Sequence, residues 1–155
     1  MHAHIYERVW LIFGGILLIL FLALISISAF GMGMQPPGAS ERVDPQGLAQ
    51  DPRFASPGLK QVSPSRYEVS IVAQTFAFLP NAVEVPRGSE VKFRVTSRDV
   101  MHGFQIVGTN VNQMVIPGYI TEITARFDTA GEYLLICNEY CGAAHQVMHG
   151  KIIVR

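Results

Sequence analysis

The sequence has 155 residues with 12 basic and 12 acidic side chains, for a formal net charge of zero. That balance leaves no electrostatic footprint for nucleic acid, and the length suffices for one domain with something left over. Hydrophobic residues make up 49% of the chain, and their uneven spread divides it into three parts.

Residues 9–30 read VWLIFGGILLILFLALISISAF, 22 residues without a charge. A helix of about 20 apolar residues spans a bilayer core, so residues 1–30 are predicted to be an N-terminal segment and transmembrane anchor. A cleaved signal peptide is the competing reading. Its apolar region runs only about 7–15 residues. Ser26-Ile27-Ser28-Ala29-Phe30 resembles a small-residue cleavage site, but the run is too long and its front end, Arg8 beside Glu7, is barely basic. An uncleaved anchor is therefore expected. Arg8 before the span and Arg42 well beyond it give the positive-inside rule little to act on. Met32 and Met34 at the end of the span read as apolar interface rather than metal capture. His2 and His4 fall on the opposite side of the membrane from the rest of the chain.

Residues 31–65 carry Pro36, Pro37, Pro45, Pro52, Pro57 and Pro64 among Gly, Ser and Asp. Neither a helical nor a strand period survives that many breakers. This stretch is expected to be a linker running extended along a surface or a partner.

From Arg66 the texture changes to short strands separated by turns. Strands are predicted at 67–73, 82–85, 90–96, 103–107, 113–116, 119–127, 132–136 and 151–154. The clearest is 90–96, apolar at Val91, Phe93 and Val95 and polar between them. Pro86-Arg87-Gly88, Pro117-Gly118 and Asp128-Thr129-Ala130-Gly131 supply turns. Seven or eight such strands over 66–155 predict a mainly β domain, a sandwich or barrel. No stretch after Arg66 keeps a 3.6-residue apolar period, and no internal repeat is visible.

The chemistry concentrates near the C-terminus. Cys137-Asn138-Glu139-Tyr140-Cys141-Gly142-Ala143-Ala144-His145-Gln146-Val147-Met148 holds both cysteines of the chain, one imidazole and one thioether. A second imidazole is available in Asp99-Val100-Met101-His102-Gly103-Phe104. Soft thiolate and thioether donors beside imidazole suit copper. A Cys137–Cys141 disulfide in an oxidising compartment and a zinc site completed by His145 and His102 remain open on spacing alone. A thioredoxin-like redox dithiol needs βαβ units that the sequence after residue 65 lacks. A mononuclear blue copper site uses two histidines, one cysteine and an axial methionine, which leaves one cysteine over. Two copper ions sharing both sulfurs, with one imidazole each and Met148 and a loop carbonyl as weak axial donors, leave none over. His149 follows Met148 directly, and strand alternation turns it away from any centre that Met148 faces. Met101 is expected in core packing.

The array of His102 with Cys137-x-Glu139-x-Cys141-x3-His145-x2-Met148 resembles subunit II of the haem–copper cytochrome c oxidases, at the motif of their binuclear copper A centre. Asp99 to Phe104 and Pro80-Asn81-x-Val83-Glu84-Val85-Pro86 are similar to the same family, most of all to B-type, ba3-like members with a short, single-anchor subunit II. The resemblance implies a cupredoxin-like Greek-key β-sandwich over 66–155, with Cys137 and Cys141 bridging two coppers. It further implies that His102 and His145 bind one copper each, with Met148 and the Glu139 carbonyl as weak ligands. It raises magnesium on the Glu139 side chain at the contact with subunit I, as in many A-type relatives, against the plainer reading of an exposed carboxylate. The implied partners are a haem-bearing subunit I, a cytochrome c or small copper protein as donor, and membrane lipid. The implied place is the cell membrane, single-pass, with the C-terminal domain on the extracytoplasmic face. Many relatives receive cytochrome c at a tryptophan-rich patch near Phe76. Trp10, in the anchor, is the one tryptophan here, so Phe76 or Phe78 is expected to take that role. Residues 66–155 hold eight basic and eight acidic side chains, which points to an apolar docking face. The competing functions are a membrane-anchored copper-delivery or storage protein and a structural domain closed by a disulfide.

Overall fold

The computed structural model describes residues 4–32 and 39–155. His2, Met34, Pro36 and Pro37 lie outside the described residues. The chain forms two compact units, Met1–Gln35 and Pro36–Arg155.

In the first unit, helix α1 (Ile5–Ser26) continues into a π-helical turn, Ile27–Gly31. Leu, Ile, Phe and Ala crowd every side of it, and the described helix buries none of its residues within the protein. Its most apolar stretch has a mean hydropathy of 2.8. A helix with no polar face needs an apolar surround, and by length and composition this one can cross a membrane. Ser26 hides its hydroxyl proton on the Leu22 carbonyl, 2.7 Å away, so this hydroxyl leaves no unmet donor.

The second unit is a sandwich of two sheets. One has the order β1 (Ala39–Arg42), β9 (Tyr119–Arg126), β6 (Glu90–Ser97), β3 (Arg66–Gln74), β2 (Gly58–Ser63), with β4 (Ala77–Leu79) folded back on β3. The other runs β5 (Ala82–Val85), β11 (His149–Val154), β10 (Gly131–Ile136), β7 (His102–Ile106), β8 (Asn112–Val115). Two pairs, β3–β6 and β5–β11, are parallel and the rest antiparallel. Alternation along the strands turns Val69, Ile71, Val91, Phe93, Val95 and Ile123 of the first sheet inward against Phe104, Ile106, Leu135, Ile152 and Val154 of the second. Phe104 anchors the middle, its ring 6.0 Å from that of Phe78 and 5.7 Å from that of Phe93.

The stretch expected to be a linker is in large part built into this unit. β1 and β2 form the two edges of the first sheet. Between them Leu48 and Phe54, 1% and 2% exposed, pack with Val43 against Val72 and Ile120 on that sheet's outer side. Pro45, Pro52, Pro57 and Pro64 all fall outside the strands, in the segments between them, which is why no period shows in the sequence. β3 is consequently covered on both faces, and Val72 is as buried as its inward neighbours. Arg53 fastens the cover, reaching Glu41 at 2.7 Å and Asp51 at 2.6 Å. The hydrogen bond from Arg53 outweighs the effect of burial and lowers the Asp51 carboxyl to about 2.

Phe54→Ala is expected to destabilise the β unit by about 3 kcal/mol, the low end for a buried phenylalanine because the cluster is small. Urea unfolding measures this. A piece beginning at Arg66 uncovers Val72 and Ile120 and should unfold at lower urea than one beginning at residue 39.

Candidate metal centre

β10 and β11 are paired neighbours, with Ile136 opposite His149. The loop joining them therefore starts and ends at one place, and the Cys137 amide donates to the Met148 carbonyl at 3.3 Å. Within the loop a 3-10 turn, His145–Val147, points its first residue back toward the cysteines. Gly142 has φ +130°, a conformation that side-chain-bearing residues rarely adopt. β7 runs alongside and begins with His102, which is fully buried.

These segments bring the donors together. The Cys137 and Cys141 sulfurs are free thiols 3.8 Å apart. His102 Nδ1 lies 3.8 Å from Cys137 Sγ, and His145 Nδ1 lies 3.5 Å from Cys141 Sγ. Met148 Sδ is 3.6 Å from Cys141 Sγ, and the Glu139 carbonyl oxygen is 3.2 Å from Cys137 Sγ. His102, Cys137 and Cys141 offer three ligand atoms within 4.8 Å of one another. Burial, then the neighbouring Cys137, pushes the Cys141 thiol up to about 11. Loading a metal here means displacing thiol protons with a cation, and two sulfurs, two imidazoles and a thioether form the soft donor set that copper prefers.

Two residues make this approach possible. Gly103 follows His102, and a Cβ on it would overlap Asn138 Oδ1 and sit 2.6 Å from the Asn138 nitrogen and 2.8 Å from that of Glu139. Only glycine lets the loop lie this close to β7. Asp99 places its Oδ1 2.9 Å from His102 Nε2. Burial works to raise its carboxyl, but hydrogen bonds from Thr75, His102 and Val100 outweigh it and hold the group well below the usual carboxylate range. The carboxylate accepts a hydrogen bond from the Nε2–H, which leaves the Nδ1 lone pair turned toward the sulfurs. Both residues stand in the sequence beside or three before His102, but nothing in the spacing announces their contacts.

The other expectations divide. Phe76 is 37% exposed. Phe78 is fully buried against Phe104 and takes no part in a docking face, because alternation along β4 turns it inward. His149 is exposed, with Nδ1 2.9 Å from the Val147 carbonyl oxygen, outside the donor cluster. Met101 is 40% exposed rather than in the core. The Glu139 side chain is half-buried.

Residues 67–155 match the family model for the periplasmic domain of cytochrome c oxidase subunit II. Cytochrome c oxidase subunit 2 of Thermus thermophilus is 42% identical over 154 residues, which are 97% of this chain and 92% of that protein. The chain belongs to the cytochrome c oxidase subunit II family. It is similar over 97% of its length to a chain of a haem–copper terminal oxidase dimer solved by cryo-EM, with a TM-score of 0.80 and 34% identity, covering 99% of that chain. The periplasmic domain of subunit II from Bradyrhizobium japonicum shares the fold at 21% identity, with a TM-score of 0.54, over 57% of this chain and 83% of that one. As a subunit II, the chain is the electron-accepting part of a haem–copper oxidase, an oxidoreductase, built on a cupredoxin-like sandwich.

Gly103→Ala is expected to cost about 1–3 kcal/mol by overpacking and to lower metal binding by the cysteine loop, read by urea unfolding and by copper titration. His149→Ala should leave the spectrum of the copper-loaded chain unchanged.

Proposed function

We propose that Cys137 and Cys141 bridge two copper ions, with one imidazole from His102 and one from His145, and with Met148 Sδ and the Glu139 carbonyl as weak ligands. The observation that carries this is the convergence of two free thiols, two Nδ1 atoms, a thioether and a carbonyl where one clamped loop meets the start of β7. A single copper would leave a buried thiol over. When bound, the pair supplies a one-electron relay whose charge is spread over two metals. The protein's part is to hold the donors still. Cys137, Cys141, Met148 and His102 are buried, and the loop is fixed to β7 and to both strands that flank it.

On this reading electrons come from a cytochrome c or a small copper protein and leave for haem in subunit I, where oxygen is reduced. α1 anchors the chain in the cell membrane, with the β unit on the extracytoplasmic face. Glu139 alone offers magnesium one carboxylate, so the remaining ligands would have to come from subunit I. A copper-delivery role fits less well, since a donor set buried and clamped in this way retains its metal. Among the residues near the donors, Val100, Met101, Tyr140 and Val147 are apolar and 40–78% exposed. With Phe76 they favour an apolar docking face.

Copper-loaded chain should hold two coppers per chain and be purple, with one unpaired electron shared between them. One copper with a single intense blue band would indicate a mononuclear site instead. Cys137→Ser or Cys141→Ser should abolish the shared signal in the EPR spectrum. Met148→Leu should shift the reduction potential with both bridges kept. Electron transfer from the donor should fall only a few-fold between low and physiological salt, since exposed charges are screened beyond about 8–10 Å. A stopped-flow series in salt checks this, and Phe76→Ala should slow the reaction at every salt concentration.

A further inference from the structure

The turn between β3 and β4 touches the centre from two sides. Thr75 donates to Asp99 Oδ2 twice, from its backbone nitrogen at 2.7 Å and from Oγ1 at 2.6 Å. The other carboxylate oxygen, Oδ1, takes His102 Nε2 at 2.9 Å and the Val100 amide at 2.7 Å. With both oxygens held, the carboxylate cannot rotate, and the imidazole it faces is fixed in plane and in tautomer. The next residue, Phe76, lies against the other half of the centre. A Cβ on Gly142, the neighbour of Cys141, would come 3.0 Å from Phe76 Cε1 and 3.2 Å from Cζ. The turn is itself anchored. Ala73 pairs with Ser97 in the parallel β3–β6 ladder and accepts the Arg98 amide at 3.0 Å, while Phe78 is sunk in the core.

We propose that Thr75 and Phe76 are positioning residues which hold the His102 side and the Cys141 side of the centre in register, Thr75 through Asp99 and Phe76 through Gly142. Thr75 sets where Nδ1 of His102 points. Phe76 limits how far the Cys141–Gly142 segment can swing. Since the two are adjacent in one rigid turn, loosening either one loosens the distance between the imidazole and the sulfur pair. The proposal rests on the copper reading only for its second readout.

The first readout needs no metal. In the metal-free full chain in detergent, the His102 Nε2–H is buried and bonded to Asp99, so its NMR signal should exchange slowly with water. Thr75→Val removes one donor to a charged acceptor and keeps shape. It should speed that exchange by about tenfold, while Thr75→Ser should match the wild type. If Thr75→Val does not fold, Thr75→Ala against Thr75→Ser makes the same comparison. Equal exchange in the valine or alanine variant and the wild type overturns the role of Thr75. The second readout is the reduction potential of the copper-loaded chain. Thr75→Val and Phe76→Ala should each shift it, and the double variant should depart from the sum of the two shifts. Lower melting temperatures with an unchanged potential, or strictly additive shifts, would overturn the coupling. A wild-type chain that binds no copper would sink the copper reading, and the exchange comparison would still decide the case for Thr75.

Discussion

Two stretches of backbone, the start of β7 and the loop after β10, meet at a spacing that a single methyl group would forbid. Gly103 is where they meet. His102 comes from one stretch and the cysteines from the other, so the distance between imidazole and sulfur is set by a main-chain contact rather than by flexible side chains. Asn138 reinforces it, its Nδ2 donating to Asn112 Oδ1 on β8 at 2.9 Å. Side chains in a packed interior settle into one arrangement, and a centre that must change little on gaining an electron draws its stiffness from that packing.

The division of polar and apolar surface follows from the same architecture. On the first sheet Arg94 of β6 reaches Glu122 of β9 at 2.7 Å and Glu68 of β3 at 3.2 Å, and Lys92 reaches Glu122 at 2.9 Å. These residues alternate with the inward valines and phenylalanine, as cross-strand pairs do. Ion pairs that solvent still reaches add little stability each. They sit on the sheet's outer side next to the apolar cover on Val72 and Ile120, while Val100, Met101, Tyr140 and Val147 are exposed near the donor cluster. Charge on this sheet is thus paired across strands, while the loops beside the centre mix exposed apolar side chains with Arg98, Asp99, Asn138, Glu139 and Gln146.

Much of this could be read from the sequence, and the gaps have physical causes. Strands with one dry and one wet face, such as β6, announce themselves by alternation. The cysteine loop is legible because four donor side chains fall within twelve residues and His102 sits in its own short motif. β1 and β2 escaped because four to six residues flanked by prolines carry no measurable period, and what recruits them is the pairing edges of β9 and β3, a tertiary demand that local pattern does not encode. Leu48 and Phe54 look like isolated hydrophobics until Val72 and Ile120 are seen beneath them. Phe76 and Phe78 are equivalent in a string of letters. Two residues apart, with a turn ending between them, one is at the surface and the other in the core. The support given by Thr75 to Asp99 spans 24 residues and is invisible without the fold.

Every donor side chain except His102 hangs from one hairpin, since β10 and β11 pair directly from Gly131 opposite Val154 to Ile136 opposite His149. The sheet register is complete before the loop begins, so the strands do not depend on what the loop contains. Such an arrangement is modular in the engineering sense. A sandwich can exchange the twelve residues between Ile136 and His149 for others, altering how many sulfurs and imidazoles face His102, and keep its strands, provided that the new loop refills the places of Cys137, Cys141 and Met148 in the core. The number of metal ions held at this end is then a property of one loop, open to change by insertion, deletion or recombination at two neighbouring points of the chain, while the framework that gives the loop its rigidity is inherited whole.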